Sequence, residues 1–599
     1  MYNELKEKIF NLVDFNYNGN IEFTPCDSLY VKYDGTQATI GYEDKSSLCR
    51  GLFIFAKEIT AGNTNFEIKQ SKHFKNCGVM IDCSRNAVLT VESAKKYIEY
   101  MAALGLNELM LYTEDTYEIK EYPYFGYMRG RYTKSEIQEI DSYAQKFGIE
   151  LIPCIQTLAH LFQFLKWQSP AEILDTDSIL LIDEDKTYEF IECAIKSVSE
   201  MFSSKRIHIG MDEAHQVGLG KFLDKNGYHN RFDILNRHLS RVIDICKKYS
   251  MEPMMWSDMF FRLASPTHNY YDDCNVPQNV IDMIPDIDMV YWDYYHTEED
   301  GYRTQIKKHQ MLNKPVIFAG GFSNWYGHLP EFKFALDASI SALKVCSENN
   351  IDEAFATIWG DDGNECNLFM TTSLLSVYSE YFYLGKECSI EDIKSASEFL
   401  TKQPFDASDD MGKLDWGCKG KQRYHGKSFL YGDILYDLGV DKDIAAIMHN
   451  NYIKVSESMK EMMDKNDKNK EKYEFAYYLY KICAIKSDLR VNLQKKYLNK
   501  DMEYLKTLVS ETLPHLKELY QIFKNISRKM WLDTYKPYGF EVLSLRYGGV
   551  ISRIDDVIFT IQEFIDGHIS VISELEETRL PSSTNGSERA LTPTYFRWK

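Results

Sequence analysis

Between residues 78 and 384 the chain repeats one unit: a short apolar run, a polar break, then a longer stretch in which apolar residues recur three and four positions apart. Short apolar runs predict buried strands, and the 3.6-residue period predicts helices packed on them. The runs fall at 78–82, 108–112, 150–155, 206–210, 253–256, 289–292, 315–319 and 354–359, with helical periods at 91–104, 134–147, 188–202, 232–249, 334–349 and 371–383. Eight strand and helix units in about 300 residues meet the requirement of a (β/α)8 TIM barrel. A doubly wound open sheet would need a glycine-rich phosphate loop after its first strand, and Asp82-Cys83-Ser84-Arg85-Asn86 is not one.

The flanks have a different texture. Residues 1–75 combine an amphipathic helix at 4–13 with strand-like pieces at 21–23, 38–42 and 66–68, which predicts a small N-terminal α/β domain ahead of a barrel spanning 76–388. From 389 to 599 long helical periods take over, at 390–399, 441–465, 473–495, 502–526 and 550–577, and predict a C-terminal α-helical domain. Phe475, Tyr478, Leu479, Ile482 and Ile485 form an apolar stripe expected to be core, and residues 464–470 a charged turn between helices. Pro581 to Gly586 reads as a loose connection to the aromatic end Tyr595-Phe596-Arg597-Trp598.

Composition narrows the partners. A 70.0 kDa chain exceeds what one core serves, and 44% hydrophobic with 26% charged residues is ordinary for a globular protein. The net charge of −20 argues against nucleic acid, whose binders carry a basic face. Thirteen cysteines, an odd number scattered singly, suit a reducing cytoplasm, and neither a signal-like start nor a membrane-length apolar run is present. A cytosolic protein with no membrane partner is expected. The 42 tyrosines, 33 phenylalanines and 8 tryptophans are compatible with stacking on sugars, though a large core uses aromatics too.

The chemistry is concentrated at Arg206-Ile207-His208-Ile209-Gly210-Met211-Asp212-Glu213-Ala214-His215, where an apolar run reaches a glycine and delivers adjacent carboxylates. Neighbouring acids raise each other's proton affinity, so one of the pair could stay protonated and act as a general acid. Barrel active sites lie at the C-terminal ends of the strands. Those ends carry Asp82 and Arg85, Glu114 and Asp115, Gln156 and His160, Asp212 and Glu213, Trp256 and Asp258, Trp292, Asp293 and Tyr294, Asn324 and Trp325, and Trp359, Asp361 and Asp362. Polar and aromatic groups at every strand end are more than a structural barrel needs.

An arginine after the first strand, a histidine after the third, His-x-Gly-x-Asp-Glu at the fourth and tryptophans after later strands resemble the β-N-acetylhexosaminidases of glycoside hydrolase family 20, over about half the chain. The three-part layout resembles the bacterial cytosolic members that act on terminal GlcNAc or GalNAc. Two positions depart from the family pattern: Met211 stands where a second glycine is usual, and Trp359-Gly360-Asp361 replaces Trp-x-Glu, which leaves open which acid binds O4 and O6.

The resemblance implies that Glu213 protonates the glycosidic oxygen and then activates water, while Asp212 accepts the N–H of a substrate acetamido group that itself attacks the anomeric carbon. It implies sugar contacts for Arg85, a pocket walled by Trp256, Trp292, Trp325 and Trp359, and contacts from Asp293 and Asp361. Tyr294 or Tyr291 would meet the acetamido oxygen. His160 with Asp115 would orient Glu213. A plainer role for Arg85 is pairing with Asp82 or Asp362. His208 is expected to pack inside its strand. His208 and His215 beside Asp212 match no metal-ligand spacing, so no metal and no cofactor are expected. The implied partner is an N-acetylhexosamine-terminated oligosaccharide or glycoconjugate, with a homodimer possible through the helical domain. Two rival readings are a two-carboxylate retaining glycosidase with Asp293 or Asp361 as nucleophile, and a catalytically silent sugar-binding protein.

Overall fold

The computed structural model describes residues 2–415, 425–436, 438 and 440–580, so the readings made for 581–586 and 595–598 lie outside the described residues. The described residues divide into two compact units: one drawn from 2–322, 334–360 and 371–401, the other from 323–333, 361–370 and 402–580.

The first unit opens with a helix, Tyr2–Leu12, and a four-stranded sheet of β1 (Ile21–Pro25), β2 (Leu29–Tyr33), β3 (Ala38–Tyr42) and β4 (Phe66–Gln70) in the order β1-β3-β2-β4. Strand β2 and the helix Lys45–Thr60 are additions to the elements read from sequence. That helix starts at a reciprocal cap, in which the Asp44 side chain accepts from the Ser47 N–H and the Ser47 side chain binds back to the Asp44 backbone. Its Arg50 makes a buried ion pair with Glu380, at 2.7 Å, and so pins the helix to Leu375–Leu384.

Eight parallel strands then close into a barrel: β5 (Asn76–Asp82), β6 (Glu108–Tyr112), β7 (Glu150–Cys154), β8 (Arg206–His208), β9 (Glu252–Trp256), β10 (Asp288–Trp292), β11 (Val316–Gly321) and β12 (Glu353–Ile358), with β12 returning to β5. Every strand read from sequence is present. The revision that bears on the site is β8, expected to reach residue 210 and ending at His208. Gly210 and Met211 both adopt left-handed φ of 72°, which no extended strand accommodates. Only glycine fits at 210, because a Cβ there would lie 2.1 Å from Gln156 Oε1.

At the N-terminal end of the barrel Arg206 donates to Glu108 at 2.8 Å and also binds Glu353, a cluster of carboxylates gathered on one guanidinium. Burial pushes the Glu108 carboxyl well above its usual range despite Arg206.

The second unit is helical, built on Lys442–Lys465, Lys470–Leu498, Leu513–Thr534 and Phe540–Ile565. Two expectations are corrected. The period read at 502–526 is interrupted by a π turn at Leu508–Thr512, and the helix read at 550–577 begins at Phe540 and stops at Ile565. The stripe on Lys470–Leu498 buries Phe475, Leu479 and Ile482, while Tyr478 and Ile485 are half-buried. Asn466 caps the turn between the first two of these helices.

Candidate active site

The turn after β8 sets the site. Glu213, like Met211, holds a left-handed φ, here 50°, so the chain reverses within a few residues and lays Asp212 and Glu213 in different surroundings. Asp212 is buried. Its Oδ1 accepts from Gln156 Nε2 at 2.8 Å, and its Oδ2 lies 3.1 Å from His160 Nε2. Burial alone would raise its proton affinity, but His160 and the Gln156 amide override it and hold the carboxyl far below the usual range. For His160 burial opposes protonation, yet the charge of Asp212 wins and its pKa rises to about 9. The pair is therefore an imidazolium and a carboxylate near neutral pH.

Glu213 has a half-exposed carboxyl. Its Oε1 accepts from Arg262 Nη2 at 3.2 Å, its Oε2 lies 3.7 Å from His160 Nε2, and its backbone N–H donates to Asp258 Oδ2 at 3.1 Å.

The aromatic wall comes from strand alternation. Trp256 points into the barrel, with its ring 4.4 Å from His208 and 6.2 Å from Trp359. Val290 is its register partner on β10, so Val290 and Trp292 share the inward direction and Tyr291 takes the other. Tyr291 is buried against His309, at 4.4 Å between rings, and its hydroxyl donates to Asp293 Oδ2 at 2.6 Å. Asp293 also accepts from the Tyr295 N–H at 3.1 Å and pairs with His296 Nδ1 at 2.6 Å, so its oxygens are committed away from the barrel mouth. Tyr294 instead stacks on Trp292 at 5.2 Å, with its hydroxyl hydrogen-bonded by the Trp359 and Thr357 side chains. The two tyrosines left open by the sequence are thus separated, and Tyr291 and Asp293 do not line the site.

Arg85 sits over the rings of Tyr112 and Trp359, at 4.9 and 5.0 Å, and binds Asp82 at 3.0 Å and Glu114 at 3.2 Å. Its pairing with Asp82 matches the plainer expectation and leaves the guanidinium partly exposed among site aromatics. Asp115 does not take the expected place beside His160. Its Oδ1 accepts from Arg129 at 3.1 Å instead, and among the described residues its buried Oδ2 has no hydrogen-bond partner. His208 accepts from the Gly210 N–H and is kept neutral by burial, with its pKa pushed down to about 3.

Trp325 and Asp361 belong to the second unit, where Trp325 is buried with its ring 5.4 Å from Tyr326 and Asp361 opens the short turn 361–364. Sequence reading did not single out Arg262 or Tyr112. The signal for Arg262 is its i+4 spacing from Asp258 at the start of a helix, which places an acid and a base on one face.

Two family models match the chain: "Glycosyl hydrolase family 20, catalytic domain" over residues 74–281 and "Glycoside Hydrolase 20C C-terminal domain" over residues 418–592. Among curated relatives, the beta-hexosaminidase subunit beta of Rattus norvegicus is 26% identical over 220 residues, covering 32% of this chain and 40% of that protein. The beta-hexosaminidase of Vibrio furnissii is 30% identical over 183 residues, covering 24% and 30%. The matched stretch spans about half or less of the length of these relatives. A solved structure described as a beta-N-acetylhexosaminidase superposes with a TM-score of 0.51 over 65% of this chain and 92% of that one, at 13% identity, a likeness of fold.

Proposed function

Because the chain belongs to glycoside hydrolase family 20, we propose that it is an exo-acting β-N-acetylhexosaminidase that releases terminal, non-reducing β-linked GlcNAc or GalNAc with retention, through substrate assistance. The observation that carries this reading is the division of labour between adjacent carboxylates: Asp212 buried and held ionised by His160 and Gln156, Glu213 half-exposed beside Arg262 and His160.

Glu213 gives its proton to the glycosidic oxygen as the C1–O bond breaks, and the acetamido carbonyl oxygen of the same sugar bonds to C1, forming an oxazoline. Positive charge grows on the amide nitrogen, and the fixed anion of Asp212 accepts its N–H and stabilises that charge. Water then attacks C1, losing its proton to Glu213, and the ring opens to the β product. Trp256, Trp292 and Trp359 wall the acetamido pocket, Tyr294 donates to the acetamido oxygen, and Arg85 takes sugar hydroxyls. A two-carboxylate mechanism through Asp293 is disfavoured, since that carboxylate is buried with its oxygens occupied.

The substrate class is an N-acetylhexosamine-terminated oligosaccharide or glycoconjugate. A cytosolic location is supported by the odd cysteine count and by the free thiols at all twelve described cysteines. Among the described residues no helix is long and apolar enough to cross a membrane.

The test compares aryl β-GlcNAc with aryl β-glucoside. The wild-type chain cleaves only the acetamido sugar, and Asp212→Asn loses roughly 10²–10³ in kcat, the scale of one removed transition-state partner. Turnover of the glucoside that survives Asp212→Asn overturns substrate assistance, and no turnover of either sugar favours a silent binding protein.

A further inference from the structure

We infer that Asp258 and Arg262 form a two-point clamp that positions Glu213, one point on its backbone and one on its carboxyl. The inference rests on the function proposed above and extends it to residues outside the adjacent carboxylate pair.

Asp258 opens the helix Asp258–Ala264 that follows β9, and Arg262 lies one turn on. Through Oδ2, Asp258 accepts the Glu213 N–H at 3.1 Å and Arg262 Nε at 2.9 Å. Arg262 Nη2 then reaches Glu213 Oε1 at 3.2 Å. The guanidinium is confined by the rings of Tyr270 and Trp292, at 5.8 and 5.7 Å, so it has little freedom to swing away. The first contact holds the strained φ of Glu213, and the second fixes a carboxyl that is otherwise half-exposed and free to rotate.

A role confined to stability does not account for the arrangement. Asp258 is fully buried, yet among the described residues its Oδ1 has no hydrogen-bond partner, a costly state for a carboxylate retained only for packing. The charge is in the right place for the reaction: once Glu213 has passed its proton to the leaving oxygen, the new carboxylate already has a cation at Oε1, and the same contact keeps it aimed for the return proton from water. Asp258 and Arg262 touch Glu213, not the reacting atoms, and are positioning residues.

The experiment separates acid positioning from general damage by leaving-group demand. N,N′-diacetylchitobiose needs its leaving oxygen protonated, whereas 2,4-dinitrophenyl β-GlcNAc expels a stable anion without help. Arg262→Gln and Asp258→Asn should each lower kcat on the disaccharide by roughly 10- to 100-fold, part of the 10²–10⁴ that general acid catalysis supplies. KM should stay within about 2-fold and the dinitrophenyl substrate within about 3-fold. The double variant should lose no more than the worse single one, as members of one unit do. Glu213→Gln is the reference. If it is leaving-group-selective and Arg262→Gln loses both substrates equally, or loses only KM, the clamp is overturned while the proposed function stands. If Glu213→Gln is itself unselective, both fall. Should Asp258→Asn fail to fold, Arg262→Gln, at a partly exposed position, carries the test alone.

Discussion

His160 Nε2 stands 3.1 Å from Asp212 Oδ2, although the two residues leave different strands, β7 and β8, and are separated by 52 positions in the chain. The barrel brings an imidazolium and a buried carboxylate together where each stabilises the charge of the other. Asp212 is thereby kept as an anion in a place where burial would otherwise protonate it.

That pair gives stability a pH signature. A histidine raised from 6.5 to about 9 stabilises the fold fully below pH 6.5 and loses the contribution as pH rises through 9. A shift of this size corresponds to about 3 kcal/mol. Thermal denaturation of wild type and His160→Gln should therefore differ most near pH 6 and converge by pH 10; a constant gap would mean that the histidine contributes packing and not charge.

Tyr294 and Tyr291 should respond in opposite ways to loss of the hydroxyl. Under the proposed function, Tyr294→Phe removes a donor to the acetamido oxygen and lowers kcat/KM by roughly 10²-fold, the scale of an oxyanion donor. Tyr291→Phe leaves Asp293 short of a buried hydrogen bond and costs about 1–3 kcal/mol of stability, with kinetics little changed. Steady-state kinetics and urea unfolding on the two variants distinguish the roles, and equal kinetic losses would count against the inward and outward assignment.

Met211 sets backbone strain against side-chain packing. Substituting glycine relieves a left-handed backbone worth about 1–2 kcal/mol, but removes a fully buried side chain whose truncation costs about 2–5. Lost packing outweighs the relieved strain, so Met211→Gly should lower stability by about 1–3 kcal/mol. A higher melting temperature would show that strain dominates here.

Arg206→Met should be among the most damaging changes away from the site. It leaves Glu108 and Glu353 together without their cation, and breaking such a buried arrangement costs about 3–5 kcal/mol. Urea unfolding should show the loss at pH 7 and a smaller one at pH 5, where the Glu108 carboxyl, already raised by burial, takes up a proton. An unchanged midpoint at pH 7 would contradict the coupling.

The amino-acid order alone specified eight strands, the helices between them and the strand end that carries Asp212 and Glu213, because a two-residue side-chain alternation and a 3.6-residue period are local properties written residue by residue. It could not specify which way Tyr291 and Tyr294 point, since a strand's facing depends on its neighbours' register: Val290 beside Trp256 turned Tyr291 outward. Nor could it pair His160 with Asp212 in place of Asp115, or bring Arg262 to Glu213. Those contacts join residues from separate loops, and their distances exist only once the barrel has closed and burial has settled which charges must share a partner.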